Sequence, residues 1–137
     1  MSGFLSVCID SNVFISAIAF GGVPLKILDR ALLREFHLVL GPPILDEVRA
    51  NLVNKLGLSS TKVDTILADF VEISSIFVPS GAEEFINHKK DNLVLEIALI
   101  ANCDILVTGD KKDLLPLSPF RGLVIESPSN FLKRFQV

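Results

Sequence analysis

Two apolar runs of strand-forming residues each deliver an aspartate at their carboxyl end. Leu5-Ser6-Val7-Cys8-Ile9 leads into Asp10-Ser11-Asn12, and Ile105-Leu106-Val107-Thr108 leads into Gly109-Asp110. In open parallel sheets, ligands bind in the crevice beyond the strand carboxyl ends. Two buried strands of this kind bring both acids to one crevice, which is the layout of an α/β metal site. Asp91 and Glu47 are two further acids able to complete it.

The rest of the chain alternates in the same sense. Residues 5–9, 37–40, 76–78, 105–108 and 123–125 read as strands. Residues 12–19, capped by Asp10 or Ser11 and stopped by Gly21-Gly22, read as a first helix. Pro24 starts a second, to about Arg34, and a third spans residues 43–55, ending before Gly57. Ser59, Ser60 or Thr61 caps a fourth, whose Val63, Ile66, Leu67, Phe70 and Val71 recur at helical spacing. Residues 79–90 read as a polar connector with one short turn at 83–86. Residues 91–101 form a helix apolar nearly all round, hence buried, and Ser127 or Ser129 opens a last helix through Phe131 and Leu132. Strands separated by helices call for crossovers and a parallel sheet. The expected architecture is a three-layer α/β/α sandwich around a central parallel sheet of about five strands, with residues 1–137 as one domain.

Composition narrows the function classes. Half the residues are apolar and 21% are charged, which is globular rather than disordered. A net charge of −3 excludes a basic nucleic-acid-coating protein. No apolar run reaches the roughly 18–20 uncharged residues of a membrane span, and Met1-Ser2-Gly3-Phe4 lacks the basic start of a signal peptide. The expectation is a cytoplasmic protein without a membrane partner. Cys8 and Cys103 sit in or beside strand-like runs and lack CxxC spacing, so they read as small buried hydrophobes. His37 and His88 are too few and too separated for a His-based zinc site.

Carboxylate oxygens are the ligands that Mg²⁺ and Mn²⁺ prefer. Such an ion suits phosphodiester hydrolysis, because it positions the phosphate, neutralises developing charge and activates water. Each acid also has a plain structural reading. Asp10 can simply cap a helix, Asp110 can brace a Gly-Asp turn, and Asp91 can serve as a first-turn acid. Ile44, Val48 and Leu52 define the apolar stripe around Glu47, which lies about 60° off Ile44, where a solvated flank would also lie. Asp46 beside it competes for the same role. Lys89-Lys90 precede Asp91 and Lys111-Lys112 follow Asp110, placed to hold a phosphate backbone or simply to be solvated.

Taken together, these stretches resemble the PIN-domain family, and within it the VapC-like toxins of toxin–antitoxin systems. The marks are Ile9-Asp10-Ser11-Asn12-Val13-Phe14, then Ile44-Leu45-Asp46-Glu47-Val48, then Lys90-Asp91-Asn92 with Leu95-Glu96 and Ala98. Asp104-Ile105-Leu106-Val107-Thr108-Gly109-Asp110 follows, and the chain closes with Phe120-Arg121-Gly122, Ser127-Pro128 and Phe131-Leu132. Any one motif is weak; their order and spacing over nearly the whole chain are specific.

The resemblance implies a Mg²⁺- or Mn²⁺-dependent ribonuclease acting on single-stranded RNA, with 5′-phosphate and 3′-hydroxyl products. Carried over by position, Asp10, Glu47, Asp91 and Asp110 are its metal-binding catalytic acids. Asn12 orients Asp10 or a metal water, Thr108 holds the site through its hydroxyl, and Asp113 is a further acid. A cognate antitoxin and a homodimer or higher oligomer are implied as partners, with apolar faces at 24–34 and 60–72 available for contact. The chain departs from the pattern at three points. Ser11 stands where Thr is more usual, and Asp113 lies one residue further from Asp110 than in many relatives. His88-Lys89 replaces an Asp-Pro pair, which favours one firmly bound ion, a second joining only with substrate. Two rivals remain. A PIN-like interaction and RNA-binding module with little catalysis fits the His88-Lys89 change, and a metal-dependent phosphatase fits the acids but lacks a second Asp at Asn12.

Overall fold

The computed structural model describes residues 4–136, so the reading of Met1–Gly3 as lacking a leader lies outside the described residues. Five strands form one sheet: β1 (Ser6–Ile9), β2 (His37–Leu40), β3 (Ser75–Ile76), β4 (Ile105–Val107) and β5 (Val124–Glu126). Every pairing is parallel, in the order β3-β2-β1-β4-β5. Among the described residues, six α-helices flank it: α1 (Ser11–Phe20), α2 (Gly22–Leu32), α3 (Pro42–Asn54), α4 (Ser60–Ile73), α5 (Lys89–Ile100) and α6 (Pro128–Leu132). The architecture is the three-layer α/β/α sandwich expected from the alternation.

The central strands explain why. Val7, Cys8 and Ile9 in β1, and Ile105, Leu106 and Val107 in β4, are buried on both faces of the sheet. Continuous apolar runs of this kind need a helical cover on each side, and parallel sheets supply it. Each such side chain, taken fully out of water, contributes about 1.5–3 kcal/mol. Phe14 of α1 meets Phe70 of α4 edge to face at 5.3 Å, and Phe36 meets Phe131 of α6 at 5.2 Å, closing the layers over the core. Cys8 and Cys103 are both free and buried.

The helix ends follow local chemistry. Gly21, at φ 73°, takes a conformation open to glycine and turns the chain through 110° from α1 into α2. Ser59 and Ser127 cap α4 and α6 through their hydroxyls, each accepting an N–H from three residues on. Pro42 and Pro43 occupy the first two positions of α3, where no N–H is missed. Among the described residues, no single helix is long and apolar enough to cross a membrane.

Three details differ from the sequence reading. The third strand is Ser75–Ile76 rather than 76–78, and Val78 is exposed. It is an edge strand with β2 as its one neighbour, and Pro79 cannot donate to a longer ladder. The turn expected at 83–86 is absent; residues 79–88 run as an irregular segment fastened to α5 instead. Asn92 accepts the N–H groups of Phe85 and Ile86, and Glu96 those of Ser80 and Gly81. A helix read as apolar nearly all round therefore buries Asp91, Asn92 and Glu96 as well.

Gly41 sets how closely α3 approaches its neighbours. A Cβ there would lie 2.5 Å from the Phe77 carbonyl oxygen and 2.5 Å from Ile97 Cδ1. The Gly41→Ala variant is expected to lose about 1–3 kcal/mol of stability in urea unfolding, with the spectrum of the folded state unchanged.

Candidate functional site

Ile9 of β1 and Val107 of β4 are register partners, so the residues following them emerge side by side at the carboxyl edge. Asp10 N–H continues the ladder by donating to the Val107 carbonyl at 2.9 Å. Strand order runs one way from β1 to β2 and the other way from β1 to β4, so this is the switch point of the sheet. Crevices at such points are the usual ligand sites of the architecture.

Asp10 is held by three donors. Its Oδ1 accepts the Ser11 N–H at 2.7 Å, which caps α1. Its Oδ2 accepts the Thr108 hydroxyl at 2.8 Å and the Asn12 amide at 3.1 Å. Asn12 in turn accepts the Gly109 N–H at 2.9 Å, and the Thr108 oxygen accepts the Asp110 N–H at 3.1 Å. The capping and site readings of Asp10 thus describe one carboxylate, with one oxygen for each task.

Glu47 reaches the cleft from α3. It accepts the Ser11 hydroxyl, and its Oε2 lies 3.1 Å from Lys90 Nζ. Asp91 arrives on the first turn of α5 and is only 8% exposed. Its Oδ2 is buried and takes no hydrogen bond from the described residues. The cleft between these elements has a volume of about 390 Å³ and is lined by Asp10, Asn12, Asp46, Glu47, His88 and Asp91. Asp46 is exposed and makes none of the buried contacts that Glu47 makes.

Asp110 stands at the end of β4 and braces its own loop. Its Oδ1 accepts the N–H groups of Lys112 at 3.0 Å and Asp113 at 3.1 Å. That turn curls Asp113 back, so its carboxylate lies within 4.8 Å of both an Asp91 oxygen and a His88 ring nitrogen. The longer spacing to Asp113 is therefore absorbed by the Asx-type turn. Lys89, Lys90, Lys111 and Lys112 are all exposed, and Lys90 is paired with Glu47.

The electrostatics fit an incomplete charge balance. Burial raises the Asp10 carboxyl; the Thr108 hydroxyl and Ser11 N–H oppose the rise, and Glu47 and Asp110 add to it. Burial and a hydrogen bond to Asp110 push Asp91 up to about 7, against the pull of His88. Asp110 is lowered: burial acts upward, but the Asp113 N–H, the Asp91 carboxyl and the Lys112 N–H outweigh it. Glu47 is also lowered, because the Ser11 hydroxyl and the Lys90 ammonium overcome its desolvation. Clustered carboxyl oxygens, one of them buried and without a hydrogen bond, suit a hard divalent ion. Asp10, Glu47 and Asp91 line the cleft, Asp110 stands at the strand end beside them, and Asp113 lies within 4.8 Å of Asp91 and His88.

Two participants escaped the sequence reading. Ser11 joins α1 to Glu47 through a hydroxyl whose partner is 36 residues away. His88, singled out in the sequence only as a lone histidine and a departure from an Asp-Pro pair, stands beside two acids. An Asx- or Ser-poor helix start at Lys89-Lys90-Asp91 was the available signal that His88 itself must cap α5.

Comparison with known proteins agrees with this geometry. The sequence model of the PIN domain matches residues 6–112. A chain of VapBC2 from Rickettsia felis, crystallised bound to a DNA fragment from their promoter, has a similar fold with a TM-score of 0.60. The two sequences are 15% identical, and the match covers 90% of this chain and 98% of that one. No curated protein matches the sequence significantly.

The Asp91 shift has a definite consequence for stability. Its folded value, about 7, lies above the ordinary 3.8. Between those values the folded state holds a proton that the unfolded state has lost, so stability falls as pH rises through this window. In metal-free protein, Asp91→Asn is expected to flatten that slope and to gain on the order of 1–3 kcal/mol at pH 8. Urea unfolding at a series of pH values in EDTA measures both effects.

Proposed function

This chain belongs to the PIN domain family, and on that premise we propose that it is an endoribonuclease, dependent on Mg²⁺ or Mn²⁺, that cleaves single-stranded RNA as the toxin of a toxin–antitoxin pair. The observation that carries the reading is Asp91 Oδ2, buried and without a hydrogen bond, facing a cleft at the sheet's switch point. His88 Nδ1 lies 3.2 Å from it, yet a buried carboxyl oxygen without a hydrogen bond calls for a further partner. A divalent ion bound to these acids would neutralise charge on a phosphodiester and make water a better nucleophile.

The chain's own residues prepare that chemistry. Thr108, Asn12 and the Ser11 N–H fix Asp10, so its orientation costs nothing when substrate arrives. Ser11 and Lys90 hold Glu47 ionised at the rim. Asp110 contributes the second strand-end carboxylate. Lys89, Lys111 and Lys112 lie exposed beside the acids and supply positive charge for the RNA backbone. The products carry 5′-phosphate and 3′-hydroxyl ends. Residues 1–137 act as one cytoplasmic domain, which pairs with a second copy and is blocked by an antitoxin. The antitoxin rests on the family resemblance and on the likeness to VapBC2, and the oligomer on the resemblance alone.

One observation favours a second reading, a binding module with weak catalysis. Lys90 already neutralises Glu47 at 3.1 Å, in competition with any cation at that acid.

Cleavage of a labelled single-stranded RNA separates the two. Asp10→Asn is expected to lose at least ~100-fold in rate while folding normally, and Thr108→Val to lose about 10–100-fold. Wild-type cleavage should need Mg²⁺ or Mn²⁺ and stop in EDTA. Full activity in Asp10→Asn would sink the nuclease assignment, and no cleavage with either ion would favour the binding module.

A further inference from the structure

Arg121 finds its partners among rings rather than acids. Its guanidinium carbon lies 4.9 Å from the centre of the Phe85 ring and 5.4 Å from that of Phe120. The two rings meet edge to face at 5.4 Å. Arg121 is exposed, and among the described residues none of its donors meets a protein acceptor. Arg30, which also lies over a ring, is by contrast paired with Glu35 at 2.7 Å.

The backbone makes this placement unusual. Arg121 and Gly122, at φ 51° and 83°, form the two-residue turn between Phe120 and Leu123, which exchange both backbone hydrogen bonds. Turns with two left-handed residues favour asparagine, aspartate or glycine at the first of them. Local chemistry therefore gives no reason for an arginine there.

Phe85 ties the cluster to the acid cleft. It lines a second hollow of about 720 Å³, together with Glu83, Glu84, Asn87 and Lys89. His88 and Leu93 line both this hollow and the acid cleft, so the two adjoin. Asn92, one residue past Asp91, accepts the Phe85 N–H at 3.0 Å and the Ile86 N–H at 2.9 Å, which fixes the ring's position. Aromatic rings and guanidinium planes bind unpaired nucleobases by stacking. Lys89 offers positive charge to the backbone at the same wall. Glu83 and Glu84 repel a phosphate but accept the N–H groups of a base, so the hollow suits a base.

We propose that Arg121, braced on Phe85 and Phe120, forms a stacking subsite for one unpaired base of an RNA strand that continues into the acid cleft. The inference deepens the nuclease reading and rests on it for the chemistry at the acids.

The competing account makes Arg121 a staple that merely fastens the 79–88 segment. The measurement is fluorescence anisotropy of a short labelled oligoadenylate, titrated with full-length Asp10→Asn protein so that the strand stays intact. Adding Arg121→Gln is expected to weaken binding about 5–100-fold, the range for one lost base stack. Phe85→Leu, which keeps apolar volume, should weaken it in the same direction. Arg121→Lys should also lose affinity while keeping the salt dependence, because a lysine retains charge but not the planar group. An abasic residue moved along the strand locates the base: at one position it should weaken the parent and leave the Arg121→Gln protein unaffected. With Asp10 restored, Arg121→Gln should raise KM for RNA with little change in kcat. RNA affinity that is absent, or equal with and without Arg121, would overturn the proposal. So would abasic losses that persist in Arg121→Gln, or a fall in kcat with KM unchanged, which is the behaviour of a staple. Metal-dependent cleavage with affinity indifferent to Arg121 leaves the nuclease standing and removes the subsite. Arg121-dependent stacking without any cleavage keeps the subsite and removes the nuclease.

Discussion

The Thr108 hydroxyl donates to Asp10 at 2.8 Å and accepts the Asp110 N–H at 3.1 Å. This one fully buried side chain joins the first strand, the capped start of α1 and the loop that carries Asp110 and Asp113. The parallel pairing of β1 with β4 makes the contact possible, and Asn12 closes it from the side. Without it, Asp10 Oδ2 would keep only the Asn12 amide, and the loop after β4 would be tied to α1 through Gly109 and Asn12 alone. The positions of Asp10 and Asp110 are therefore set by the core beneath them.

That core places charge where it is poorly tolerated. Asp10 and Asp91 are both raised, chiefly by burial, while Glu47 and Asp110 are held low by hydrogen bonds and, at Glu47, by Lys90. Groups pushed in opposite directions within one cleft fit a functional site. The fold accepts a local loss of stability, and a bound cation would remove it. The same economy appears away from the cleft, where Glu96 and Asn92, both buried, are fully engaged in fastening the 79–88 segment.

Much of this was legible in the sequence, and the limits have physical causes. The central strands and most helix boundaries follow from apolar runs and from Ser59, Ser127, Pro42 and Gly21, whose effects are local. Asp10 and Asp110 could be placed because a strand end fixes a direction. Glu47 could not be ranked above Asp46 from helical periodicity, since the choice depends on Ser11 and Lys90, which come from two other elements. The two-residue β3 was misplaced because an edge strand has one neighbour and little burial to mark its register. The sequence marks His88 only as a lone histidine and a departure from the Asp-Pro pair, not as the cap of α5. Its partners are acids, and the turn at Asp110 that delivers Asp113 is a tertiary matter.

The central claim is that the buried acids are arranged for a divalent ion. Unfolding of wild type and Asp10→Asn at pH 8, in EDTA and across a Mn²⁺ series, tests it without requiring the RNA target. The account predicts a wild type stabilised progressively by the ion, by about 2.7 kcal/mol when the ion reaches 100 times its dissociation constant, and a variant that gains much less at the same concentrations. A wild type indifferent to Mn²⁺, or a variant stabilised equally, would contradict it.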